Sequence, residues 1–435
     1  MTGRAIHPDY IGELRWRGLL HQTTSDEIPA YLASAARTGY AGFDPTADSL
    51  TIGNLIPMMM LAHFQRAGHR PIALVGGGTG LIGDPSGKSA ERQLQTAERI
   101  EANVASIKGI FARVMDFDTT GPSRAAVIDN SEWLCKLGFV EVLRDVGKHF
   151  SVNMMIQKES VAARLNTREQ GISYTEFSYM ILQAYDFLHL HRQHGCTVQC
   201  GGSDQFGNIV AGIDLIRRDA HGGDAHAYGI TAPLVMKADG GKIGKTESGA
   251  IWLSAHRTSP FAFHQFWLNA SDADVPNFLR WYTFLDRDTI EQLDQATRDR
   301  PNERAAQKTL AREVTRTHHG EAEMARAEAA AQALFSGEVR ALDGHLLGEV
   351  FAEVPRTQHP LTSLDGAGAS LLDLLPQTSL ATSKREAREF LQAGAVSVNG
   401  EKAGLDRALT KTDLLHGGRI VLRRGKKQWH ATEWA

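Results

Sequence analysis

Gly39-Tyr40-Ala41-Gly42-Phe43-Asp44-Pro45-Thr46, then Leu55 to Ala67, then Pro71-Ile72-Ala73-Leu74-Val75: this stretch reads as strand, loop, helix and strand. The first and third segments are short apolar runs closed by turn residues, and the second carries a helical pattern. Strand, helix and strand in that order imply a parallel sheet. Further strands are predicted at Ala126-Val127-Ile128-Asp129 and Thr197-Val198-Gln199-Cys200, alternating with helical stretches at Glu91 to Phe117 and Tyr174 to Leu190. The fold class expected for the first part of the chain is therefore α/β, with a doubly wound parallel sheet.

Downstream the pattern changes. From Ser259 to Phe335 strand signals vanish, leaving charged faces such as Glu303 to Arg316 and Ala-rich stretches such as Ala327 to Leu334. Pro355, Pro360, Gly366 and Gly368 then punctuate a stretch with the composition of a linker. Residues 381–435 hold eleven Lys/Arg against six Asp/Glu, a net +5 in a chain whose overall charge is −3, so the upstream part is near −8. One end of the chain is suited to a polyanion.

At 435 residues the chain exceeds one hydrophobic core, and two or three domains are expected. Apolar residues at 42% and charged residues at 22% exclude wholesale disorder and fibrous repeats. No signal-length apolar run opens the chain and no membrane-length span follows, which makes the cytoplasm the expected compartment. Three cysteines, Cys135, Cys196 and Cys200, are too few and too odd for a disulfide framework.

Five runs carry chemistry. In Ala41 to Leu55 the glycines sit where a strand meets a helix, with Gly53 as the natural contact for a phosphate; a capped turn with no ligand reads equally well from this run alone. In Val75 to Ser89, Gly78, Gly80 and Gly83 match G-x-G-x-x-G, but the second strand and ribose-binding acid of a dinucleotide fold do not follow. Gly87-Lys88-Ser89 mimics a phosphate loop whose required first glycine is Ile82. On the predicted helix from Tyr174, residues Tyr179, Gln183 and Asp186 fall at i, i+4 and i+7, one polar stripe amid aromatic and aliphatic neighbours. Gly201-Gly202-Ser203-Asp204-Gln205-Phe206-Gly207-Asn208 opens with a glycine turn directly after a strand, the place where open α/β sheets hold ligands, with Asp204 and Gln205 at its exit. Lys237 to Thr246 is glycine-rich, with Lys242 and Lys245 three apart and Thr246 beside them, a pattern suited to transient pyrophosphate stabilisation. His189, His191, His194, Cys196 and Cys200 crowd together but match no finger or zincin spacing, and no metal site is expected.

Taken in this order, the runs resemble the bacterial tyrosyl-tRNA synthetases, a family of class I aminoacyl-tRNA synthetases, from about Asp9 to the C-terminus. The resemblance implies a Rossmann-like catalytic domain at 1–255, a helical tRNA-binding domain at 256–350, a linker at 351–368 and a small α+β RNA-binding domain at 369–435, the last similar to one found in a ribosomal small-subunit protein. It places Thr51-Ile52-Gly53-Asn54 at the His-Ile-Gly-His signature and Lys242-Ile243-Gly244-Lys245-Thr246 at the Lys-Met-Ser-Lys-Ser signature. Tyr40 and Asp186 are implied to meet the phenolic hydroxyl of tyrosine, Asp84, Tyr179 and Gln183 its ammonium, and Gln205 its carboxylate. Gly42, Asp44, Gly53, Asn54 and Lys245 are implied to line the ATP site, Gly202 and Asp204 the ribose, and Lys88 with Arg92 a loop over the pyrophosphate. ATP with Mg²⁺, L-tyrosine and tRNA(Tyr) are the implied ligands, and a homodimer is the implied assembly.

At the basic end, Lys384, Arg385, Arg388, Arg423, Arg424, Lys426 and Lys427 are expected to contact tRNA phosphates, with strong salt dependence and little sequence choice. Two positions depart from the family: Thr51 and Asn54 stand where the signature histidines do, keeping hydrogen-bonding capacity and losing any imidazole charge. Competing readings are a tryptophan-specific relative, another class I nucleotidyltransferase, and a non-catalytic RNA-binding protein built on a degraded synthetase. Tyr40 with Asp186 favours tyrosine, and the retained Lys242, Lys245, Asp84 and Asp204 oppose decay.

Overall fold

A computed structural model describes residues 9–84, 95–158, 161–162, 165, 172–220, 225–241, 243–246, 249–352, 354–425 and 428–435. They form two compact units, residues 1–258 with 270–310 and residues 259–269 with 311–435.

The first unit holds a six-stranded sheet of β1 (Gln22–Thr23), β2 (Thr38–Phe43), β3 (Arg70–Val75), β4 (Ala126–Asp129), β5 (Cys196–Gly202) and β6 (Tyr228–Ala232), in the order β1-β6-β5-β2-β3-β4. All pairings are parallel except β1 with β6. After the edge strand β1 the chain enters the centre with β2, winds outward through β3 to β4, then returns to the other side of β2 with β5. That reversal is a topological switch point, and it opens a crevice at the carboxyl ends of β2 and β5.

The helices that cover the sheet follow from sequence locally. The helix Leu55–Arg66 (α1) buries Leu55, Ile56, Met58, Met59, Met60, Leu61 and Phe64, so it is apolar on nearly every face and lies inside the unit. Ala97–Phe111 (α2) starts at Thr96, whose side chain accepts from the Arg99 amide. Tyr174–His194 (α3) begins at Ser173, which caps the Glu176 amide, and ends at Gly195, whose φ of 60° lets the chain turn straight into β5. Phe206–Asp219 (α4) follows β5 through a short 3₁₀ turn at Ser203–Gln205. Helices at Val275–Tyr282 and Arg287–Asp299 also belong to this unit. The buried Arg17 guanidinium fastens the connection between them, donating to the carbonyls of Arg280, Thr283 and Leu285 at 2.9, 3.0 and 2.8 Å.

In the second unit, helices at Pro260–Leu268, Glu321–Ser336 and Gly344–Val350 share a core with a five-stranded sheet. Its strands run in the order 401–402, 396–398, 419–424, 428–434 and 356–359. Ile420 and Leu422 face one core while Val421 faces the other with Phe261, Ala330 and Leu346, the period of two expected of a strand buried on both sides. Asn399 and Gly400, both at positive φ, make the hairpin turn that joins strands 396–398 and 401–402.

Residues 351–368, expected as a linker, contain the strand Arg356–His359, which pairs in parallel with Gln428–Trp434. Pro355 and Pro360 bracket this strand at the sheet edge, where proline is tolerated, and so gave it the look of a loop.

Candidate active site

A cavity of about 430 Å³ occupies the crevice at the switch point. Its walls include Tyr40, Gly42 and Asp44 from β2 and its exit, Gly53 and Asn54 before α1, Asp84, the stripe Tyr179, Gln183 and Asp186 on α3, and Gly202, Asp204 and Gln205 after β5. The structure thus gathers the residues named from four separate runs. The polar stripe faces this cavity rather than solvent.

Asp186 is the most deeply held. Its two carboxylate oxygens accept from Asn130 Nδ2 and Trp133 Nε1, each at 2.8 Å. Burial pushes its carboxyl up to about 8, with the two donors opposing that shift. Asn130 is itself locked, because its Oδ1 accepts from the Gly78 amide at 2.8 Å. Beside it the Tyr40 hydroxyl is buried with no hydrogen-bond partner among the described residues. Burial, then the nearby Asp186 carboxylate, raises the Tyr40 phenol well above its ordinary value. A buried hydroxyl without a partner is costly, and a ligand atom that bonds to it removes the cost.

A second network lines the middle. Gln183 Nε2 donates to Gln205 Oε1 at 3.1 Å, and Gln205 Nε2 donates to Asp84 Oδ2 at 2.8 Å. Asn208 on α4 donates to Gln183 Oε1 at 3.0 Å. Asp44 accepts from the Thr79 hydroxyl at 3.1 Å and from Tyr179 at 3.4 Å. Burial raises the Asp204 carboxyl as well. Three acids, Asp44, Asp84 and Asp204, together with amide oxygens, suit a cationic group and sugar hydroxyls.

At the open end the wall is largely backbone. A side chain added at Gly42 meets nothing within 4 Å, so a ligand can lie directly on the strand there. Asn54 accepts at Oδ1 from both the amide and the hydroxyl of Thr51, each at 3.0 Å. The segment Lys245–Thr246 (β7) pairs with Gly249–Ala250 (β8), and the preceding Gly244, at φ 79°, packs so closely on Ile52 that an added Cβ would lie 2.4 Å from it. Lys88, Arg92 and Lys242 lie outside the described residues, as do Lys426 and Lys427.

Of the remaining basic candidates, Lys384, Arg385 and Arg388 are exposed on the helix Lys384–Gln392, with Lys384 paired to Asp373 and Arg385 to Glu389. Arg423 and Arg424 are half-buried: Arg423 lies over the Trp429 ring, and Arg424 donates to the Leu380 carbonyl at 2.7 Å and lies over Phe390. In the His/Cys cluster, His189 stacks on Trp133 with ring centroids 4.1 Å apart, and His191 Nδ1 is 2.9 Å from the Cys196 carbonyl. Cys200 is buried, which pushes its thiol up to about 12.

The sequence reading passed over Asn130 and Trp133, and gave no role to Thr79, Asn208 and Gln199 within the runs it singled out. Asn130 directly follows β4, so the rule that ligand-site residues sit at the carboxyl ends of parallel strands could have found it. Gln199 pairs with Tyr40 across β2 and β5, and its buried Oε1 also lacks a partner among the described residues.

Residues 34–336 match the family model described as tRNA synthetases class I (W and Y), and residues 347–432 match that of the tyrosine–tRNA ligase SYY-like C-terminal domain. The tyrosine–tRNA ligase of Roseiflexus castenholzii is 51% identical over 421 residues, 97% of this chain and 98% of that one. That of Geobacillus kaustophilus is 50% identical over 429 residues, 98% of this chain and 100% of that one. A C-terminally truncated mitochondrial tyrosyl-tRNA synthetase from Aspergillus nidulans superposes with a TM-score of 0.68 at 30% identity, covering 76% of this chain and 95% of that one. Sheet, switch-point cavity and family model together define a class I aminoacyl-tRNA synthetase fold. Within that class, the chain belongs to the tyrosine–tRNA ligase family.

Proposed function

We infer that this chain is a tyrosine–tRNA ligase, activating L-tyrosine with ATP and passing it to the 3′-terminal adenosine of tRNA(Tyr). The observation that carries the tyrosine reading is the Tyr40 hydroxyl, buried without a partner among the described residues beside the carboxyl of Asp186 in the cavity. A phenolic hydroxyl can donate to one of these groups and accept from the other. Asp84, Tyr179 and Gln183 then receive the ammonium, and Gln205 faces the carboxylate. Gly42, Asp44, Gly53 and Asn54 take ATP, and Gly202 with Asp204 takes the ribose.

In the first step the tyrosine carboxylate attacks the α-phosphorus of ATP and the bond to the β-phosphate breaks, releasing pyrophosphate. The nucleophile is already charged, so no general base is needed; positioning and charge stabilisation lower the barrier. Lys242, Lys245 and Thr246, with Lys88 and Arg92, meet the charge of the leaving pyrophosphate, and Mg²⁺ arrives with the nucleotide as part of the substrate. In the second step a ribose hydroxyl of the tRNA attacks the acyl carbonyl and AMP leaves, with no covalent enzyme intermediate.

Lys384, Arg385, Arg388, Lys426 and Lys427 are the phosphate contacts for tRNA in this reading; Arg423 and Arg424, given their partners within the unit, act more in support. A homodimer is supported by Phe139, Val140, Val152, Met154 and Ile156, apolar side chains left exposed in one stretch of the first unit. No described helix is long and apolar enough to cross a membrane, and the cytoplasm remains the proposed compartment.

Tyrosine-dependent ATP–pyrophosphate exchange by the purified protein tests the reading, with phenylalanine and tryptophan as competitors for the site. Exchange with tyrosine is expected to exceed that with phenylalanine by about 10⁴ to 10⁵ in kcat/KM, a ratio known from enzymes of this family. Exchange driven better by tryptophan would overturn the tyrosine assignment.

A further inference from the structure

Asn54 lines the cavity and Thr51 does not. We propose that Thr51 is a positioning residue whose task is to fix which face of the Asn54 carboxamide meets ATP. This rests on the reading of Asn54 as a donor to an ATP oxygen.

The argument turns on donor chemistry. The Thr51 amide lies 3.0 Å from one carboxamide atom of Asn54, and the Thr51 hydroxyl lies 3.0 Å from the same atom. A backbone N–H can only donate, so the atom facing it is the oxygen; with the carboxamide turned over, two N–H groups would confront each other. Both lone pairs of that oxygen are then engaged, and Nδ2, with its two hydrogens, is the part of the side chain left for an ATP oxygen.

Thr51 is in turn held from behind. It bridges to Trp252, the Ile52 amide donates to the Ile251 carbonyl at 3.2 Å, and the Ile251 amide donates to the Gly244 carbonyl at 2.9 Å. The residue that orients Asn54 is therefore anchored to the segment that carries Lys245. Thr51 and Asn54 act as a matched pair, in which an oriented amide dipole stands in for imidazole charge.

Exchange assays on the full chain with T51V, T51S, N54A and the double variant T51V/N54A test this. T51V keeps the shape and the backbone bond but loses the hydroxyl, and is expected to lower kcat about three- to tenfold while leaving the KM for tyrosine unchanged. T51S should restore the rate, and T51V should cost nothing further in the N54A background. An equal loss from T51V with and without Asn54 would show that Thr51 acts directly and overturn the proposal. A slow N54A beside a T51V of wild-type rate would remove the positioning role alone, whereas an N54A of wild-type rate would remove the reading of Asn54 as a donor as well.

Discussion

The two ends of the cavity are built differently. Around Asp186 the polar groups are buried and interlocked before any ligand arrives: Trp133 and Asn130 hold the carboxylate, and the Gly78 amide holds Asn130. Around Gly53 and Asn54 the wall is strand-end backbone and one oriented carboxamide, and a glycine-rich segment packs on the adjacent Ile52. The closed end is shaped to refuse wrong ligands, since any group that fails to complete its hydrogen bonds leaves buried donors or acceptors stranded. In the proposed reaction the open end meets charge that appears only as pyrophosphate departs. Substitutions at the first should therefore change which amino acid reacts, and those at the second how fast.

The largest expected effect is at the closed end. D186A should lower kcat/KM for tyrosine by about 10³ and cut its lead over phenylalanine to roughly ten- to hundredfold, as measured by pyrophosphate exchange. Retained discrimination would break the contrast between the ends. Next, K245A should lower kcat by about 10² with little change in the KM for tyrosine; a rise in that KM instead would mean the two ends are not separable. Y40F should cost about tenfold in kcat/KM for tyrosine and leave phenylalanine unaffected.

The smallest effect concerns pH. The folded-state carboxyl of Asp186 is raised from 3.8 to about 8, so its protonated form is favoured by folding. Its contribution to stability is complete below its unfolded value and is lost as the pH rises through about 8. The Tm of the ligand-free protein should fall over that window and D186N should flatten the profile. A D186N profile as steep as wild type would place the titration elsewhere.

Much of the open end was legible in the sequence, and less of the closed end. Gly53, Gly202 and Asp204 announce themselves because a strand-to-helix junction has local signals, and Tyr179, Gln183 and Asp186 because a polar stripe breaks an apolar helix pattern. Asn130 and Trp133 carry no such mark. Their partner Asp186 lies more than fifty residues away, and a hydrogen bond across that separation leaves no periodicity behind. The strand Arg356–His359 was hidden for the same reason, since its pairing partner is some seventy residues downstream. Likewise, the helices at 275–299 look continuous in pattern with those that follow, yet they group with the sheet unit.

That edge strand has a consequence for how the chain is made. During synthesis, Arg356–His359 emerges well before Gln428–Trp434, and until the latter is delivered the sheet cannot form the parallel ladder that closes it. The Val421 and Trp429 side chains that seal the helices around Phe261 and Leu346 arrive equally late. On the ribosome, then, the helical part of the second unit waits with an unsealed apolar face, so a nascent chain stalled before residue 420 is the form of this protein most in need of a chaperone.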